Sequence, residues 1–320
     1  MTKKRSYWEQ RAIDAEKRVN DSAKALETVL SASYRQAQSY LNKQVKKLFN
    51  RTQKKAGITE QEAKAMLNET VSPAELTEWQ RLAKDITDPQ LQQQAKRKLN
   101  GLALKSRITR LEDLKAKSYL VSKQVADVSI QKQTDFYIDT IHEAYKEATA
   151  ENVIQQAQAN AKNGVVIEVW NKKDYQFKEL STQYTKDILE NRWKGSNYSK
   201  RIWNDTDVLA KRLEQLFTVE SMTGMSEFDM TKAIAKEFDQ SINVARRLIR
   251  TEANYMANQS KLKAWEKNGV KKYMLVATLD LRTSTICRKK DHKTYDVSKA
   301  VVNGAEGNYP PFHPFAEPLP

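Results

Sequence analysis

One cysteine, Cys287, occurs in 320 residues, so no intrachain disulfide can form and the usual mark of an oxidising compartment is missing. Glycine and proline are scarce too, at 8 and 7, and Pro314, Pro318 and Pro320 lie at the extreme C-terminus. So few breakers predict long, uninterrupted helices. No apolar run approaches the roughly 18 residues that span a bilayer. After the basic segment Met1 to Arg5, the stretch from Trp8 to Val19 carries Glu9, Arg11, Asp14, Glu16, Lys17 and Arg18, where a secretory signal needs an apolar core. These absences lead us to expect an intracellular protein with no membrane association.

What the chain does contain is charge. Charged residues make up 30% and apolar residues 39%, with a mean hydropathy of -0.76, so much helical surface must stay wet. The net charge of +15 is uneven: residues 1 to 120 hold 25 Lys+Arg against 14 Asp+Glu, and the remainder 30 against 26. A basic N-terminal part favours a polyanionic neighbour, either nucleic acid or an acidic protein surface.

Apolar residues from Trp8 through Ala15, Leu26, Leu41 and Val45 to Leu48 recur at helical spacing with no Gly or Pro before Gly57, predicting one long helix over about 8 to 55. Thr59 with Glu62, and Ser72 with Pro73 and Glu75, read as helix starts with capping boxes, and Asp88-Pro89 as another. The pattern Leu91 to Leu114 predicts a single helix, and Val121 to Ala148 a further one ending near Asn163-Gly164. Val165 to Trp170 is too short to fix a period. Helices resume from Arg201 to Phe217 and from a Ser226 cap to Phe238; Ser241 caps the next, which stops at Asn268-Gly269. From Tyr273 to Thr278 the period becomes strand-like. The expected fold is mainly α, with long N-terminal helices forming an extended helical body and a small C-terminal α+β module. It divides into a basic helical region 1–164, a helical middle 165–240 and the module 241–320.

Three groups of residues could carry chemistry. Cys287, His292 and His313 could supply three ligands to zinc, but a structural zinc site wants four N or S ligands and Cys287 has no cysteine partner. A buried structural cysteine with ordinary loop histidines is the favoured alternative, so no cofactor is expected. A thiol nucleophile at Cys287, beside Arg282, Arg288 and two lysines, is tied to a histidine by no motif. The cluster Lys43, Lys46, Lys47, Arg51, Lys54 and Lys55 ends the first helix, where it either complements the helix dipole or meets phosphates. No phosphate loop, serine elbow or His-Glu-x-x-His pair occurs, and no enzymatic activity is expected.

Arg250-Thr251-Glu252 by itself reads as a helical charge pair on a mostly exposed face. Followed by Asn254, Asn268-Gly269, Tyr273, Ala277 to Asp280, Arg282-Thr283-Ser284, Cys287 and Pro310 to Pro314, however, it resembles the phage head-morphogenesis, or minor capsid, family. Trp193-Lys194-Gly195, Tyr198-Ser199 and Arg201-Ile202-Trp203 are similar to that family's lead-in, so the likeness covers about residues 193 to 314. The chain departs from the pattern where His313-Pro314 runs into Phe315-Ala316 instead of a cysteine, and at Ser284, where some members have a cysteine. The resemblance implies a virion-head protein assembled in the host cytoplasm. Its partners would be the portal and other head proteins, and double-stranded DNA bound without sequence specificity. It also implies a clasp in which Asp280 and Arg282 bond to Arg250 or Glu252, with Thr283, Cys287, His313 and Pro314 completing the motif. A metal-dependent nucleic-acid-processing enzyme and a tether with no DNA affinity are the alternatives.

Overall fold

In the computed structural model, residues 6–53, 60–103, 105, 107–163, 180–277 and 283–312 are described. They form ten α-helices and one two-stranded sheet, a mainly α fold with a small α+β module near the C-terminus. The helices are α1 (Tyr7–Gln53), α2 (Glu60–Leu67), α3 (Pro73–Lys84), α4 (Pro89–Ala103), α5 (Arg110–Lys162), α6 (Thr182–Glu190), α7 (Tyr198–Leu216), α8 (Val219–Gly224), α9 (Glu227–Lys267) and α10 (Thr285–Lys290). Strands β1 (Lys272–Met274) and β2 (Thr294–Asp296) pair antiparallel with Tyr273 opposite Tyr295. No helix is long and apolar enough to cross a membrane among the described residues.

Several starts follow from local chemistry. At α3 the Ser72 side chain accepts from the Glu75 amide while the Glu75 carboxylate accepts from the Ser72 amide, and Asp88 Oδ1 accepts from the amides of Gln90 and Leu91 at α4. Each satisfies amides that have no intrahelical partner. The expected helix from Leu91 to Leu114 is in fact two. α4 ends at Ala103 and α5 begins at Arg110, because Thr109 and Glu112 form a reciprocal box: the Thr109 amide donates to Glu112 Oε2 at 2.9 Å and the Glu112 amide to Thr109 Oγ1 at 3.2 Å. The two helices expected around Ser226 and Ser241 are, conversely, one. Ser226 does cap α9, its Oγ accepting from the Asp229 amide at 3.1 Å. Ser241, however, is a buried interior residue that donates to Asp205 Oδ2 at 3.4 Å, and Phe238, Ile242, Ala245 and Ile249 run through it as one buried stripe. Of the strand expected from Tyr273 to Thr278, Tyr273 and Met274 lie in β1, Leu275 to Ala277 fall outside it, and Thr278 lies outside the described residues. Residues 165–170 and Thr59 lie outside the described residues.

The chain divides into two compact units. The first comprises Met1–Leu26, Gln133–Tyr198 and Arg247–Pro320. Its helices meet over small residues, with Ala15 and Ala23 of α1, Ala144 and Ala148 of α5 and Ala253, Ala257 and Ala264 of α9 all buried, which lets backbones approach closely. α9 stops at Gly269, whose φ of 70° suits a residue without Cβ; the Val270 amide reaches back to the Trp265 carbonyl at 3.0 Å, the closure of a Schellman turn. The returning chain is bolted to α9 by Tyr309, whose hydroxyl donates to the Asn258 carbonyl at 2.7 Å. Its ring meets Tyr273 edge-on at 5.1 Å.

The second unit comprises Glu27–Lys132 and Ser199–Arg246. Leu30, Tyr34, Ala37, Leu41, Val45 and Phe49 of α1 are buried at helical spacing; Leu41 and Val45 belong to the expected apolar pattern, while Phe49, and not the expected Leu48, is the buried residue at its end. Its interior also holds charge. Lys123 of α5 has no exposed side-chain surface and pairs with Asp207 of α7, with a second bond to Gln94 Oε1 at 2.7 Å. A buried ammonium is tolerated only when its protons are so occupied. Asp127 works in reverse, its carboxylate accepting from the Thr87 amide at 3.0 Å and the Asp88 amide at 2.8 Å, which fixes the turn between α3 and α4.

Candidate functional site

The helix α9 carries Arg250, Thr251 and Glu252. Only the first two have surface; Glu252 is wholly buried, which corrects the expectation of a mostly exposed charge pair. The reason is tertiary: α9 is enclosed continuously from Glu252 through Ala257, so a residue that looks solvated by its charge is taken inside. Burying a carboxylate costs several kcal/mol unless donors replace its water. Trp193 is such a donor, its Nε1 lying 2.9 Å from Glu252 Oε2. The indole is held flat against Tyr255, with centroids 4.7 Å apart and planes 8° from parallel. The turn that aims it carries positive φ at Lys194 and Gly195.

Thr251 is a local back-bonding residue, its Oγ1 donating to the Arg247 carbonyl at 2.7 Å. Asp280, Arg282, His313 and Pro314 lie outside the described residues, so the expected bonds from Asp280 and Arg282 to Arg250 or Glu252 do too. Thr283 accepts at its carbonyl from Arg288 Nε at 3.0 Å. Ser284 caps α10 by accepting from the Cys287 amide at 3.2 Å.

Between α1, α9 and the C-terminal module, all within the first unit, lies a cleft of about 200 Å³ whose lining includes Glu16, Asn254, Lys261, Cys287 and Asp291. Glu16 keeps some accessible surface, yet it is ringed by protein: burial pushes its carboxyl up to about 7, against the attraction of Lys261. Asp291 Oδ1 accepts from the Ala277 amide at 2.8 Å, pinning the end of α10 to the segment after β1. Its other oxygen meets His292 Nδ1 at 2.8 Å. His292 Nε2 lies 3.2 Å from Glu9 Oε1 on α1. The hydrogen bond to Asp291 is the main force raising the affinity of His292 for its proton, helped by Glu9.

No family model, curated protein or solved structure matches this chain.

The geometry bears on the candidate zinc ligands, which the sequence did not favour. His292 directs both ring nitrogens to carboxylates, Cys287 is half-buried on α10, and His313 lies outside the described residues. Among the described residues no three His, Cys, Asp or Glu side chains converge as a metal site would need. Lys43, Lys46 and Lys47 are placed on α1 in the second unit, all three exposed on the face opposite Leu41, Val45 and Phe49. Lys47 acts on Glu78, whose carboxyl is held low by Tyr40, Lys117 and Lys47 although burial opposes them. Nothing is described of the Arg51 side chain, and Lys54 and Lys55 lie outside the described residues.

Sequence reasoning picked out Trp193-Lys194-Gly195 as part of the resemblance but missed that its indole meets Glu252, 59 positions on. It also missed Lys123, whose only sequence signal is its place within the apolar-rich stretch from Tyr119 to Val128.

Proposed function

We propose that this chain is a phage minor head protein that acts by binding, without catalysis, at the portal or inside the procapsid. One observation carries the proposal: Trp193 and Glu252, which come from the lead-in and from the Arg-Thr-Glu stretch of the resemblance, meet in a single buried hydrogen bond. A sequence likeness made of scattered short motifs gains weight when two of them form one packed element. The polar groups that a catalyst would need free are engaged structurally, Glu252 with Trp193 and His292 with Asp291 and Glu9. The row Lys43, Lys46 and Lys47 supplies attraction for duplex DNA or an acidic portal surface.

The deciding experiment is compositional. Heads and procapsids purified from the phage or prophage encoding the chain should contain it at a few copies per particle by quantitative mass spectrometry, and pull-down should recover the portal protein; its absence from the particles refutes the proposal. DNA affinity is tested on the full chain by titrating duplex binding against salt. The apparent affinity should fall linearly on logarithmic axes, and replacing Lys43, Lys46 and Lys47 by alanine should reduce that slope by about 0.9 for each phosphate no longer neutralised. A slope indifferent to the triple replacement assigns any DNA binding elsewhere.

A further inference from the structure

The second unit holds a groove of about 820 Å³ between α3, α4 and the chain that leads into α5, which the function proposed above does not use. Its floor is apolar: Val71, Leu76, Trp79, Ala83, Leu99 and Ile108 line it. Val71, Trp79, Ala83 and Ile108 are themselves buried and the Trp79 indole N–H is spent on Asp113 Oδ1 at 2.8 Å, so the apolar surface these residues open to an occupant comes mainly from Leu76 and Leu99, which are half-buried. One end is closed by the bridge between Thr70 and Thr109, with the Val71 amide on the Ile108 carbonyl at 2.9 Å.

The rim has one sign. Among the described residues Lys84, Lys96, Lys105 and Arg107 line the groove and no Asp or Glu does. Lys105 is neutralised by Glu112 just outside. Lys84 and Arg107 have no ion pair among the described residues, and Lys96 bonds only the neutral Gln92, at 3.1 Å. All three are exposed. This is the arrangement of a recognition groove: an apolar centre that rewards desolvation, and a charged edge that sets partner and orientation.

We propose that this groove docks an acidic amphipathic helix of a partner protein, its apolar stripe on the floor and its carboxylates facing Lys84, Lys96 and Arg107. The volume is within the range of sites that enclose a ligand, and a trough between two helices takes the side-chain ridge of a third. The rival occupant, a nucleic-acid backbone, would satisfy the cations but has no apolar surface to place on Leu76 and Leu99, and Trp79 is too buried to stack a base. The inference is independent of the phage assignment.

The test uses the full chain and a fluorescein-labelled peptide with leucines at i, i+3, i+4 and i+7 and glutamates flanking them, read by fluorescence anisotropy. The wild type should bind it saturably. The double variant Lys84→Glu, Lys96→Glu, whose exposed positions should leave the melting temperature unchanged, should bind at least about tenfold more weakly. The same double variant should gain affinity for a peptide with lysines in place of the glutamates. Leu99→Lys should weaken both peptides. Failure of the acidic peptide to bind, equal binding of both peptides by the wild type, or indifference to the charge reversal overturns the proposal. So does displacement of the peptide by duplex DNA that the double variant no longer binds, which would assign the groove to nucleic acid.

Discussion

Replacing Trp193 by phenylalanine removes one N–H from the buried Glu252 carboxylate while keeping an aromatic ring against Tyr255. A hydrogen bond to a charged acceptor contributes about 2 kcal/mol net, and the smaller ring forfeits roughly 1 kcal/mol of burial and dispersion. The expected loss is about 3 kcal/mol, because the carboxylate cannot recover the missing donor from water. At a few degrees per kcal/mol this lowers the melting temperature by roughly 6 to 10 °C. Glu252→Gln is the informative companion. It keeps an oxygen for the indole but removes the charge, so the double variant should cost less than the sum of the singles by about 1 to 2 kcal/mol. Melting followed by circular dichroism gives the totals, and hydrogen exchange of the α9 amides from Glu252 to Ala257 locates the loss. A Trp193→Phe variant within about 0.5 kcal/mol of the wild type, with additive double-variant behaviour, would refute the claim that this bond clasps the motif stretches together.

Other expectations concern buried and paired charge. Glu16 titrates higher in the folded chain than its ordinary value of 4.5, at about 7, so its favourable contribution is complete below about 4.5 and is lost as pH rises through about 7. Glu16→Gln should therefore stabilise the chain at alkaline pH and change little at acid pH, which melting curves across that window will read. His292, raised by Asp291 and Glu9, contributes fully below its unfolded value of about 6.5 and ceases to contribute as pH climbs past its folded one. His292→Ala should accordingly lower the melting temperature at mildly acid pH and leave it unchanged at alkaline pH. In the second unit, Asp207→Ala strands the buried Lys123 ammonium and should cost about 3 kcal/mol by urea denaturation. Lys123→Met should cost less, because Asp207 is half exposed and can return to water.

The chain's long elements were legible because helices are local objects. The helix α1, the Ser72 box and the Gly269 stop each rest on residues a few positions apart, and each stands where the sequence puts it. The errors came where two local signals competed. Leu91, Leu99, Leu102, Ile108 and Leu111 keep a helical rhythm across a real break, and the Thr109 and Glu112 box that makes the break was outvoted by apolar spacing. Ser241 looks like a cap because serine competes well for backbone amides, yet the enclosing structure turns it inward toward Asp205. The candidate site was hardest. Whether Glu252 is solvated depends on an indole 59 residues earlier, and charge alone argues for exposure. The groove on α3 and α4 likewise exists only once three separate stretches meet, so neither its apolar floor nor its one-signed rim has a signature along the chain.

Lys123 gives the second unit a built-in timer. Its amine has no surface in the closed state, while most other described lysines of the chain keep surface that an acylating reagent can reach. Under brief treatment with such a reagent, Lys123 is modified only in molecules whose α5 and α7 have parted. The rate at which its tryptic peptide gains mass therefore counts openings of that unit, whatever the rest of the chain is doing.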